Sequence, residues 1–142
     1  MLLLYNLWGY SLIMKKSALL TTLILLVMFT GTGLGKWVVV GDNPDGDTFY
    51  IDFDTIREGS RYVYYWELSD LSKPIAGAFS AKTYVEADCD TRQYRHLSYL
   101  WYKQSMGEGS FEIDNPEEPE WDYPPPDSVA ERVLVLVCTY VM

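Results

Sequence analysis

Lys82-Thr-Tyr-Val-Glu-Ala-Asp-Cys-Asp-Thr-Arg-Gln-Tyr-Arg-His-Leu-Ser-Tyr-Leu-Trp-Tyr102 contains two strand-like runs that meet at a turn, with Cys89 at the junction. Before the turn, from about Ala78, the side chains alternate. Ala81, Thr83, Val85, Ala87 and Cys89 share one face, and Ser80, Lys82, Tyr84, Glu86 and Asp88 share the other. Small residues let a second layer approach closely, so the face that ends in Cys89 is the expected seat of a helix. Asp90-Thr91 supplies a tight turn, and Arg92 to Lys103 returns as the next strand, with Leu97, Tyr99 and Trp101 set between polar residues. His96 is the only histidine and has no second ligand in the chain, so it reads as a sheet-surface residue rather than a catalytic one.

Working back from this stretch, Arg61-Tyr-Val-Tyr-Tyr-Trp-Glu-Leu-Ser-Asp70 is another strand, with Tyr62, Tyr64, Trp66 and Leu68 on one face. Such a stripe can be a ligand platform, but it is more commonly a core face or a cross-strand ladder. Ser72-Lys73-Pro74 is expected to separate it from the strand that follows. Thr48 to Asp52 alternates Phe49 and Ile51 against Tyr50 and Asp52, and pairs naturally with Lys36-Trp-Val-Val-Val-Gly41. That first run is apolar on both sides and so is expected to be central or covered. Between them, Asp42-Asn-Pro-Asp-Gly-Asp47 reads as a turn. In a calcium loop of the EF-hand type the glycine is sixth after an acidic first position, and here that position falls on Gly41. Thr55 to Ser60 is a turn or a single helical turn.

Beyond Lys103, Ser110 to Ile113 adds a short strand. Asp114-Asn-Pro-Glu-Glu-Pro-Glu-Trp-Asp-Tyr-Pro-Pro-Pro126 cannot continue a sheet and is expected to run extended over the surface, anchored by Trp121. Ser128-Val-Ala-Glu131 is a capping box that opens a helix to about Val141. On its wheel Glu131, Arg132, Val135 and Thr139 form a polar stripe. Val129, Val133, Leu134, Leu136, Val137 and Tyr140 cover the other side, with Cys138 at the border. A final strand is the competing reading, because Val133-Leu-Val-Leu-Val137 is rich in β-formers.

The N-terminal segment reads differently from the rest. Lys15-Lys16, an apolar run from Ala18 to Phe29 and small residues up to Gly33 and Gly35 follow the order of a secretory signal peptide over residues 1–35, with Met14 as the expected start. An uncleaved anchor is the alternative, although Ala18 to Leu34 barely reaches the roughly 20 apolar residues a bilayer requires. No cysteine follows the run to accept a lipid. The mature part, residues 36–142, is a single domain of roughly 100 residues. It holds nine Lys and Arg against twenty Asp and Glu, a net charge of −11, which repels nucleic acid and anionic membranes.

The only two cysteines of an exported chain, Cys89 and Cys138, are expected to form a disulfide between sheet and helix; two buried thiols would be the other arrangement. The bridge removes the candidate thiol nucleophile. There is no nucleophile elbow, no metal-ligand cluster of His and Cys and no glycine-rich loop ahead of a helix, so neither cofactor nor metal is expected. The fold expected is α+β, a single antiparallel sheet of about six strands carrying a C-terminal helix. Three functions remain in view: a binding module, an accessory domain of the periplasmic envelope, and, least favoured, a small hydrolase with dispersed carboxylates.

The landmarks then fall into a known order. Trp37, Tyr50-Ile51-Asp52 followed by Ile56, the strand reaching Trp66, Ser80-Ala-Lys82, Asp88-Cys89 with Arg92 and Arg95, Trp121, Pro126-Asp-Ser128 and Cys138 resemble the bacterial surface-adhesin protein E-like family. The similarity spans nearly all of Lys36 to Cys138. It implies a sheet of about six antiparallel strands linked to a C-terminal helix by the cysteine pair. It also implies recognition of a protein partner such as a host matrix or serum protein, and a homodimer. Without a lipidation cysteine, this chain is expected to be periplasmic or secreted rather than anchored. Tyr84, Arg92 and Arg95, around the central hairpin, are the candidate ligand-binding residues.

Overall fold

The computed structural model describes residues 36–142, and the signal peptide read over residues 1–35 lies outside the described residues. The described part forms β1 (Trp37–Asp42), β2 (Thr48–Asp52), β3 (Arg57–Glu58), β4 (Val63–Ile75), β5 (Ala78–Asp88), β6 (Gln93–Tyr102), β7 (Phe111–Asp114) and a C-terminal helix α1 (Val129–Val141). The strands make one antiparallel sheet in the order β1-β2-β4-β5-β6-β7, with β3 also paired to β4. Successive strands joined by short turns account for most of this order, and the fold is the expected α+β arrangement.

The turn at 42–47 is held by its own side chains. Asn43 Oδ1 accepts from the Asp47 backbone NH at 2.9 Å, and Asp47 Oδ1 accepts from the Ser72 NH at 2.8 Å, so these residues tie β1–β2 to β4. The Ser72 backbone NH first, with the side chains of Asn43 and Ser72, outweighs burial and holds the Asp47 carboxyl below its ordinary range.

Two local expectations are corrected. β1 is an edge strand rather than a covered one: it pairs only with β2, and Val38 and Val39 are 48% and 60% exposed. A register shift between Val39 and Gly41 breaks the alternation, and it is Val40 that packs against the core. Ser72-Lys73-Pro74 does not end its strand either. β4 runs on to Ile75 through an irregular register with β5 between Asp70 and Ile75, and the chain reverses at Ala76-Gly77. Within that irregular stretch the donor that proline lacks is not required by the ladder.

Helix α1 packs on the face predicted for it. Val129, Val133, Leu134, Val137 and Cys138 are buried against Ile51, Ile56, Val63, Tyr65, Val85 and Ala87. Full burial of a valine or leucine side chain contributes about 2 kcal/mol, so this stripe is the main source of helix docking. The buried stripe is narrower than the wheel suggested, since Leu136 and Tyr140 are exposed. Tyr140 instead rests beside Phe53, ring centres 5.3 Å apart. The cap also differs in one bond. Ser128 Oγ accepts from the Glu131 NH at 3.1 Å as expected, but the Glu131 carboxylate accepts from Asp127 NH, because the NH of Ser128 already donates to Pro125. The cap and the buried stripe together outweigh the β propensity of Val133 to Val137. Cys89 and Cys138 form the disulfide, with Cα atoms 5.6 Å apart, joining the β5–β6 turn to the penultimate turn of the helix.

Candidate binding face

Because the helix occupies one side of the sheet, alternation along each strand sends a second set of aromatic residues to the other. On β4 these are Tyr64 and Trp66, and on β5 Tyr84. Register sets Trp66 opposite Tyr84 and Tyr64 opposite Glu86. The rings form a short ladder: Tyr84 lies 6.1 Å from Tyr64 in a stacked pair and 5.1 Å from Trp66. All three are half-buried, with no helix above them. The Tyr62–Leu68 stripe is a cross-strand ladder, and its half-buried rings give it the form of a platform as well, although Leu68 is fully buried.

Beneath and beside the ladder lies a charged layer. Glu86 is buried, and its carboxylate accepts from Tyr64 Oη at 2.6 Å and pairs with Arg95 Nε. A buried carboxylate is costly unless it is paired and hydrogen-bonded, and these two donors meet that need. The hydrogen bond to Glu86 is the first cause that raises the Tyr64 hydroxyl above the usual tyrosine range. The Arg95 guanidinium also lies over the Trp121 ring at 4.5 Å, and Trp121 in turn packs 5.2 Å from Tyr62. The proline-rich segment is therefore fastened to the sheet by Trp121, as its sequence suggested. At the far end of the face Lys82 Nζ sits 4.8 Å over Tyr102 and donates to the Gly107 carbonyl at 3.2 Å. Gly107 has φ +68°, a conformation that favours glycine, and a side chain there would have to push the flexible end of Lys82 aside.

The structure brings Tyr84 and Arg95 together on this face, one at its surface and the other clamping Glu86 and Trp121. Arg92 is not with them. It sits in the turn after β5 with φ +59°, exposed on the helix side near Tyr123 and Glu131. The pairings of Glu86 with Tyr64 and Arg95 depend on register and are not legible in the sequence, whose one signal is an acid beside Tyr84 on the polar face of an alternating strand. Among the described residues, no three His, Cys, Asp or Glu side chains gather to hold a metal ion, and no helix is long and apolar enough to cross a membrane.

One antiparallel sheet, covered on one side by a disulfide-held helix and presenting aromatic residues on the other, defines an α+β module with a single open sheet face. The chain belongs to the family described as surface-adhesin protein E, whose model matches residues 37–139. Among solved structures, it is similar to protein E from non-typeable Haemophilus influenzae, at 17% identity over 78% of this chain and 79% of that one, with a TM-score of 0.59. A second structure of Haemophilus influenzae protein E matches at 16% identity over 72% and 83% of the two chains, with a TM-score of 0.57. At these identities the likeness is one of fold. No curated protein matches the chain.

Proposed function

We propose that this protein is an exported, non-enzymatic binding module that recognises a protein partner through the bare aromatic face of its sheet. The observation that carries the reading is the half-buried ladder of Tyr64, Tyr84 and Trp66, backed by the Glu86–Arg95–Trp121 layer. Tyrosine, tryptophan and arginine are the residues that anchor protein interfaces, because each offers a large contact area together with a polar edge. Buried pairing below holds the ladder in place, so little order has to be gained on binding. Membership of a surface-adhesin family supports an extracellular partner, with host matrix and serum proteins as the class to test. The signal-like order of residues 1–35 supports export to the periplasm or beyond the cell.

The test starts with protein exported by a Gram-negative host. An intact mass beginning at Lys36 is expected, and that material is then titrated over immobilised matrix and serum proteins. The double variant Trp66→Ala, Tyr84→Ala should weaken binding by about 2 kcal/mol or more, roughly thirtyfold, with its helix signal intact. Binding that is unchanged in the double variant would sink the proposed face.

The homodimer implied by the family resemblance belongs to the same reading. Its support here is β1, an edge strand whose exposed Val38 and Val39 carry no charge. The other edge, β7, bears Glu112 and Asp114 and would repel a copy of itself.

A further inference from the structure

On the helix side, the rest of the sheet is not sealed. A cleft of about 310 Å³ opens where the start of α1 leaves β4 and β6, lined by Phe49, Tyr65, Glu67, Tyr94, His96 and Val133 among others. It is separate from the aromatic face described above. Three of its walls are aromatic rings of Phe49, Tyr65 and Tyr94, and the aromatic row continues along β6 from His96 to Tyr99 and Trp101, with ring centres 5.3 and 5.7 Å apart.

The one carboxylate inside the cleft is Glu67. Its side chain is 15% exposed, and the nearest side-chain nitrogen is His96 Nε2 at 3.7 Å, beyond hydrogen-bond distance. Among the described residues no other group donates to it. Other partly buried acids of the fold are served: Asp47, Glu86 and Asp88 each accept short, directed hydrogen bonds. Its oxygens still reach solvent through the cleft mouth, so water serves them in the free protein, and a ligand that brings N–H groups and positive charge can take the place of that water.

The surrounding field has the same sign. Burial is the first cause that raises Tyr94 and Tyr99, and the acids Glu67, Asp122 and, for Tyr99, Asp114 add to it. Tyr65, wholly buried, is also held neutral. The nearest arginine of the helix, Arg132, lies against Gly41 and lines the neighbouring groove rather than this cleft. Asp127 and Glu131 offset the positive end of the helix. Aromatic walls around a carboxylate that no protein group donates to form the arrangement that selects organic cations.

We propose that this cleft is a site for an organic cation, the ammonium or guanidinium group of a small amine or of a partner's lysine or arginine, held by Glu67 between Phe49, Tyr65 and Tyr94. The proposal uses the helix side of the sheet and stands apart from the binding face proposed above.

The experiment titrates the exported protein with butylammonium, butylguanidinium and uncharged butylurea, followed by NMR shifts of the Tyr94 and His96 rings. Saturable shifts with either cation and none with butylurea are expected. Glu67→Gln, which breaks no hydrogen bond of the fold, should weaken cation binding at least about tenfold with an unchanged melting temperature. Blocked tripeptides with a central Lys or Arg form the second arm. Tighter binding than the free cations assigns the group to a partner's side chain, and equal binding assigns it to a free amine. Absence of saturable shifts with all four charged probes, or equal binding by Glu67→Gln, would overturn the site. Trp66→Ala with Tyr84→Ala leaves this titration unchanged, so failure here and failure of the aromatic face are read separately.

Discussion

Asp88, the last residue of β5, closes the β5–β6 turn. Its Oδ1 accepts from the backbone NH groups of Asp90 at 3.0 Å and Thr91 at 3.2 Å, and Arg61 lies 3.5 Å from Oδ2. Burial works against the charge, but these donors outweigh it, and the carboxyl titrates below its ordinary value. A lowered folded pKa means that the ionised group stabilises the fold above the unfolded value of about 3.9, and that this contribution is lost as pH falls through the folded value. Asp88→Asn should therefore melt below the wild type at neutral pH, and the gap should close as the pH drops below about 4. Thermal melts followed by circular dichroism across that range check this; a gap that stays constant in acid would contradict it. Residues of this kind are partly legible in sequence, because Asp-x-Asp-Thr at a strand end already suggests a side chain serving a turn. Glu67 and His96 were not legible together. They meet because Glu67 faces Thr83 while the adjacent row joins Tyr65, Val85 and His96, and a slip of register would part them.

At the scale of elements, the disulfide and the buried stripe of α1 hold the same joint. A bridge between residues 49 apart in sequence contributes about 4 kcal/mol in the chain-entropy account. Cys89→Ala combined with Cys138→Ala should cost about that much in denaturant unfolding, and amide exchange should show α1 opening ahead of β4 and β5. Equal protection of helix and sheet in that variant would show that packing alone seats the helix. β5 was readable from sequence because one face of strict period-2 alternation is small and apolar from Ala81 to Cys89. β1 was misjudged because Trp37 to Val40 would look the same in a covered strand; only pairing partners distinguish the two. Likewise, the width of the buried helix stripe depends on how far the sheet extends beneath Leu136 and Tyr140, which the wheel does not contain.

For the whole molecule, a net charge of −11 on residues 36–142 keeps copies apart, so self-association needs a specific surface. The β1 edge is the one proposed. Sedimentation velocity should find a concentration-dependent dimer, and Val39→Lys, at a site 60% exposed, should leave only monomer with stability changed by less than about 0.5 kcal/mol. A monomeric wild type at high concentration would remove the edge from consideration. The segment after β7 has a further consequence. Trp121 rests on the aromatic face, the next residue, Asp122, exchanges two backbone hydrogen bonds with Tyr94 at 3.0 and 2.8 Å, and Pro125 already lines the helix-side cleft. The chain thus rounds the open flank of β6 like a belt, with one end on each side of the sheet. Occupants of the two sides would share that belt, and any influence of the first on the second must be returned in equal measure.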